Sequence, residues 1–216
     1  MGENPVPHDP PADGDNLERP YFLVFLGALG LLGCIALTAG TFVAAFLVPD
    51  HDWVSDTISD LAAGDNEIIM DLALYGFAAG LFALSLAASH AHLGRVWWTG
   101  GTLALAILAA LVVVIGARNE YGDGDSEGIV LHVYFVYGLG ALFLAAPLCF
   151  AADIGREHTG TRRMLIALGL VWGVCAPVFF FLPTSIDGAY ERWLGLLACA
   201  IVLTLSHFFA RRGWAG

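Results

Sequence analysis

Residues 21–61 read YFLVFLGALGLLGCIALTAGTFVAAFLVPDHDWVSDTISDL, and this stretch decides the fold. Its first part, Tyr21–Val48, is an uncharged apolar run closed by Pro49. About 20 such residues cross the hydrocarbon core of a bilayer as one helix. Proline stops that helix because it has no amide hydrogen to donate. Working outward, the same pattern recurs at Ile68–Ser89, Val96–Gly116, Gly128–Ala152, Arg163–Leu182 and Trp193–Ala210. The expectation is an all-α fold, a polytopic transmembrane bundle of six helices over residues 21–212. Residues 1–20, rich in Pro, Asp, Gly and Asn, predict a disordered acidic tail.

The second part of the stretch is polar but patterned. Over Trp53–Ala63, Trp53, Val54, Thr57, Ile58 and Leu61 share one helical face, and Ser55, Asp56, Ser59 and Asp60 share the other. This predicts a short amphipathic interfacial helix between spans 1 and 2, capped by Asp50 or Asp52 and ended by Gly64.

Orientation follows the arginines. Arg19, Arg95, Arg156, Arg162, Arg163, Arg211 and Arg212 fall on one side of the spans, and only Arg118 and Arg192 on the other. Both termini are therefore expected in the cytoplasm, with the protein multi-pass in the cell membrane. The opposite side collects the acids of the odd-numbered connections, Asp50 to Glu67, Glu120 to Glu127, Asp187 and Glu191.

Composition excludes several classes. Only 13% of the 216 residues are charged, against about 25% in soluble domains. All nine basic residues are arginine, so no Schiff-base cofactor and no P-loop can form. A net charge of −11 argues against nucleic acid as a partner. The four cysteines, Cys34, Cys149, Cys175 and Cys199, lie in apolar runs and read as small buried hydrophobes. Gly76-x-x-x-Gly80 and Gly169-x-x-x-Gly173 have the spacing that lets membrane helices approach closely.

Ionisable groups near span ends are the candidates for function, because such groups are costly in lipid and face the bundle. His132 stands about one turn inside the fourth span and Asp71 similarly in the second. Arg118 ends the third span, and Glu191-Arg192 opens the sixth. With Asp56, Ser59 and Asp60 these groups lie at one membrane depth and are expected to form one outer pocket. Three chemistries fit. Arg192 and Arg118 with the acids suit a lipid head group or small solute, Arg192 pairing with a phosphate or with Asp60. His132, Asp60 and Glu191 suit a divalent metal such as zinc. Ser59, His132 and Asp60 suit nucleophile, base and orienter. The alternative to all three is a polar network that only locks helices.

Asp56-Thr57-Ile58-Ser59-Asp60-Leu61 resembles the D-x-I-S-D-L signature of a prokaryotic family of six-helix membrane proteins, domain-of-unknown-function 998. The resemblance covers nearly the whole chain after the tail. It implies a His at the start of the fourth helix and Glu-Arg at the start of the sixth, where His132 and Glu191-Arg192 stand. The family's usual proline after the third helix is absent from Gly116–Glu120. A looser likeness, to membrane hydrolases of the alkaline ceramidase type, implies Ser, Asp and His around a zinc. This chain lacks their paired histidines on one helix. The expected function is therefore a lipid head-group or small-solute site at the extracytoplasmic helix ends. The alternatives are a metal-dependent lipid hydrolase, and an accessory or scaffold subunit with a membrane-protein partner or a second copy of itself.

Overall fold

The computed structural model describes residues 19–62, 67–117, 131–155 and 158–215, with side chains placed for all of these except 131–133. The acidic tail up to residue 18 lies outside the described residues. Six long helices carry the chain: α1 (Pro20–Leu47), α3 (Glu67–Ala91), α4 (Val96–Ala117), α5 (Leu131–Asp153), α6 (Thr159–Val178) and α7 (Asp187–Ala215). A short α2 (Ile58–Leu61) sits between the first two, and a 3-10 turn, Phe179–Phe181, extends α6. Each long helix is apolar and long enough to cross a membrane. In lipid a helix satisfies its own backbone groups, which is why an uncharged run takes this form.

The predicted spans match these helices closely. α1 starts with Pro20 in its first turn, where the missing amide costs nothing. Pro147 and Pro177 lie inside α5 and α6. The largest difference is α7, which begins six residues before the predicted Trp193 and so carries Glu191 and Arg192 within its first two turns. The connection after α1 also differs. The expected helix over Trp53–Ala63 is helical only at Ile58–Leu61, with turns from Trp53 to Ser55. The reason is a capping box. The Thr57 hydroxyl accepts from the Asp60 amide at 3.0 Å, and the Asp60 carboxylate accepts from the Thr57 amide at 2.7 Å. Thr57 is held extended, so the helix starts after it. Asp52 still caps, but a turn, accepting from the Val54 amide at 2.8 Å. Gly64 lies outside the described residues.

The long helices form a closed ring in the order α1, α3, α4, α5, α6, α7, with α6 against α7 the lightest of the six seams. Alternation of direction brings the end of α1, the start of α3, the end of α4 and the starts of α5 and α7 to the end of the bundle that holds α2. Lipid tails are as apolar as the helices, so close packing rather than water exclusion must join them. Between α1 and α3 this is done by glycine. A Cβ on Gly33 would meet the Gly76 carbonyl at 3.0 Å and the Gly80 Cα at 3.1 Å. At the opposite end, the Asp153 carboxylate of α5 accepts from the Arg95 and Trp98 amides at 2.9 and 2.8 Å, which ties α5 to the start of α4.

Candidate functional site

At the α2 end, the connection after α1 folds down onto the start of α7. Gly188 makes this approach feasible: a Cβ there would run into the Asp56 carbonyl, so only glycine fits. The Ala189 amide then donates to the Val54 carbonyl at 3.0 Å.

One turn on, Arg192 fastens the contact. Its Nη1 donates to the carbonyls of Asp56 at 2.7 Å, Gly188 at 2.8 Å and Trp53 at 3.2 Å. Its guanidinium carbon lies 5.0 Å from the centre of the Trp53 ring, a cation–π distance. Its Nη2 is 2.8 Å from His51 Nε2. A guanidinium only donates, so His51 Nε2 accepts, and the ring proton sits on Nδ1. That Nδ1 faces Asp56 Oδ2 at 3.3 Å. The imidazole is almost fully buried, 2% exposed, while the Asp56 carboxylate is 38% exposed. The Asp52 amide donates to the Asp56 carboxylate at 2.8 Å, and the Ser55 hydroxyl at 3.0 Å. The Asp52 bond first, then Ser55, His51 and Arg192, hold this carboxyl below the ordinary aspartate range.

Glu191, the neighbouring residue, points elsewhere. Successive helical residues diverge by about 100°. Its carboxylate accepts from the Ile58 amide at the start of α2, and from the Ser59 hydroxyl at 3.3 Å. Glu191 and Ser59 form the polar edge of a partly open cavity of roughly 190 Å³ at the centre of the α2 end. On α7 the lining is Glu191, Leu194, Gly195 and Ala198, one stripe at helical spacing. That stripe is about 10 Å long at 1.5 Å per residue. Phe77, Phe143 and Trp172 line it too; Phe143 packs on Trp172 at 4.9 Å and on Phe77 at 6.4 Å. The Trp172 indole donates to the Gly140 carbonyl at 2.8 Å, so that carbonyl has its partner already. Ile58, Ser59 and Ala62 of the α2 segment also line the cavity.

The predicted residues thus divide. Asp56 and Arg192 meet through the Asp56 carbonyl, and Ser59 and Glu191 meet through their side chains. Asp60 closes the capping box, its carboxylate accepting from the Thr57 amide and hydroxyl. Asp71, on α3, keeps one carboxylate oxygen buried without a hydrogen-bond partner. His132 lies in the first turn of α5 at this end, but its side chain, like the whole of Arg118, lies outside what is described. Among the described residues no group of three or more His, Cys, Asp or Glu side chains is arranged to hold a metal. His51 and Gly188 were not legible as site residues. The sequence signal for Gly188 is only its place one helical turn before Arg192.

A family model described as a protein of unknown function (DUF998) matches residues 31–207, from within α1 to near the end of α7. No curated protein and no solved structure matches the chain.

Proposed function

Because the chain belongs to the DUF998 family, whose function is unknown, we propose its role from geometry: it binds an amphiphile in the cavity at the α2 end of the bundle. The fold is that of a multi-pass membrane protein, with six candidate spans. The arginine asymmetry supports an orientation in which the α2 end faces outward.

The observation that carries this reading is the cavity itself. An apolar cavity of about 150 Å³ is large enough to take up benzene, and this one is larger. Its walls are almost entirely carbon, with polar atoms gathered at the Glu191 edge. That is the shape of a site for an apolar chain with a polar head. Leu194→Trp should fill the cavity from the middle of the α7 stripe. The test is mass spectrometry of lipids that copurify with the full chain in a mild detergent. An amphiphile retained by the wild type and lost in Leu194→Trp is expected. Identical lipid profiles from the two folded proteins would overturn the reading.

A second reading, an accessory or scaffold subunit, draws on Arg192. Its guanidinium is bonded to three carbonyls and an imidazole, which suits a lock between elements rather than a ligand contact. In that case the bundle would be stabilised by the lock and no amphiphile would copurify.

A further inference from the structure

We infer that the cavity selects amphiphiles whose head donates hydrogen bonds and carries no negative charge, a long-chain alcohol or amine, through the Ser59–Glu191 edge. This rests on the amphiphile-binding reading and names the class of ligand within it.

Donors and acceptors at this edge decide which heads it can hold. Among the described residues Glu191, Ser59 and Trp172 are the lining side chains with polar atoms, and the Trp172 N–H already donates to the Gly140 carbonyl. In its ionised form the Glu191 carboxyl has about four lone-pair sites and only accepts. Three donors already reach it, the Ile58 amide on Oε2, the Ser59 hydroxyl on Oε1 and the Ser59 amide. About one site is left for a ligand. The Ser59 hydrogen is directed at Glu191, so Ser59 offers the ligand lone pairs only. The edge is therefore an acceptor edge.

The nearest cation among the described residues does not change this. Arg192 points about 100° away around α7, where with Trp53, Thr38 and Leu196 it lines an adjoining cavity of roughly 120 Å³ that shares Leu37, Ile58 and Gly195 with the first. Its terminal nitrogens are bonded to backbone carbonyls and to His51. A phosphate or carboxylate head entering the cavity would face the ionised Glu191 carboxylate with no cation among the described lining residues, and among carbon walls that repulsion is weakly screened. A hydroxyl or ammonium meets a charged acceptor, which makes a stronger bond than a neutral one. The pairing of a phosphate with Arg192, expected from the sequence, would need a different cavity from this one.

The test uses the full chain at mildly alkaline pH, with Glu191 ionised, in an uncharged detergent, and three terminally brominated probes of one chain length: an alcohol, an amine and a carboxylate. Bromine quenches tryptophan at short range, and Trp172 lines the cavity. The signal assigned to the site is the saturable quenching lost in Trp172→Phe. The alcohol and amine should bind about tenfold or more tighter than the carboxylate, as one charge-assisted hydrogen bond implies. Glu191→Gln keeps an oxygen for the Ile58 amide and should shrink that gap. Should this variant fail to fold, the wild-type series decides alone. Equal or tighter binding of the carboxylate overturns the selectivity while leaving the cavity as an amphiphile site. No saturable quenching of Trp172 by any probe overturns both.

Discussion

Two seams of the bundle carry the same glycine spacing and use it in opposite ways. Between α1 and α3, Gly80 lies against Gly30 and Gly33, and a Cβ there would meet their Cα atoms at 3.3 and 3.2 Å and the Leu29 carbonyl at 3.1 Å. Between α5 and α6, Gly169 and Gly173 face side chains instead: Leu148 and Pro147 at 3.2 Å, and Leu144 at 2.9 Å. Backbone meets backbone only where both helices present small residues. Where the partner presents leucine, its side chain stands between the two backbones. The cavity lies where the looser helices meet the rest, with α5, α6 and its 3-10 extension supplying much of the wall. Small-residue spacing on one helix is therefore half of a contact, and the facing helix supplies the other half.

The sharpest way to break this comparison is to place the same kind of load on both seams. Gly33→Ala drives a methyl into the backbone of α3, which cannot move aside without parting the helices. The expected loss is toward the upper end of overpacking costs, about 3 kcal/mol. Gly173→Ala meets only the mobile end of Leu144 and should cost less than about 1 kcal/mol. Thermal melts of both variants in one detergent check the pair, and equal losses would remove the distinction.

Next in size is the polar clamp. The connection over the cavity is held to α7 by Arg192, so Arg192→Ala asks whether the looser side depends on polar bonds. It strips donors from the Trp53 and Asp56 carbonyls and from His51. Unpaired groups of this kind cost about 1–3 kcal/mol. A lysine at this position should recover little, because it lacks the planar fork that reaches carbonyls and imidazole together. Full recovery of the melting temperature in Arg192→Lys would show that charge alone holds the connection.

The smallest effect is the acid response of the same connection. The Asp56 carboxyl is held below its ordinary value of 3.8 in the folded state. A lowered folded pKa means that the folded protein binds protons less readily than the unfolded chain. Its contribution is therefore complete above the ordinary value and is lost as pH falls through it toward the lowered one. The melting temperature should drop modestly between roughly pH 5 and pH 3. Asp56→Asn should flatten that drop, and a slope unchanged by the substitution would show that other groups set it. The carboxylate is 38% exposed, so solvent screening keeps this below the loss expected for Arg192→Ala.

Much of the fold was legible because its signals are local. The six spans follow from apolar length, and Pro49 and Pro183 stand just beyond α1 and the 3-10 turn. The short helix was legible in kind but not in extent. Its helical period over Trp53–Ala63 competes with the Thr57–Asp60 capping box, and the box sets the start. The site was legible in membership and not in pairing. Asp60 looked like a partner for Arg192, yet its carboxylate is taken up three residues away by Thr57.

By itself the sequence determined six membrane-length helices, the short helix after the first, and membership of the family across residues 31–207. These depend on the solvation of each segment and on bonds within a few residues. Only the tertiary structure decided that Arg192 grips carbonyls and an imidazole while Glu191 faces a cavity. Adjacent places on α7 set the angle between those two side chains. What stands at each bearing arrives from residues more than 130 positions away, brought there by the closing of the helix ring.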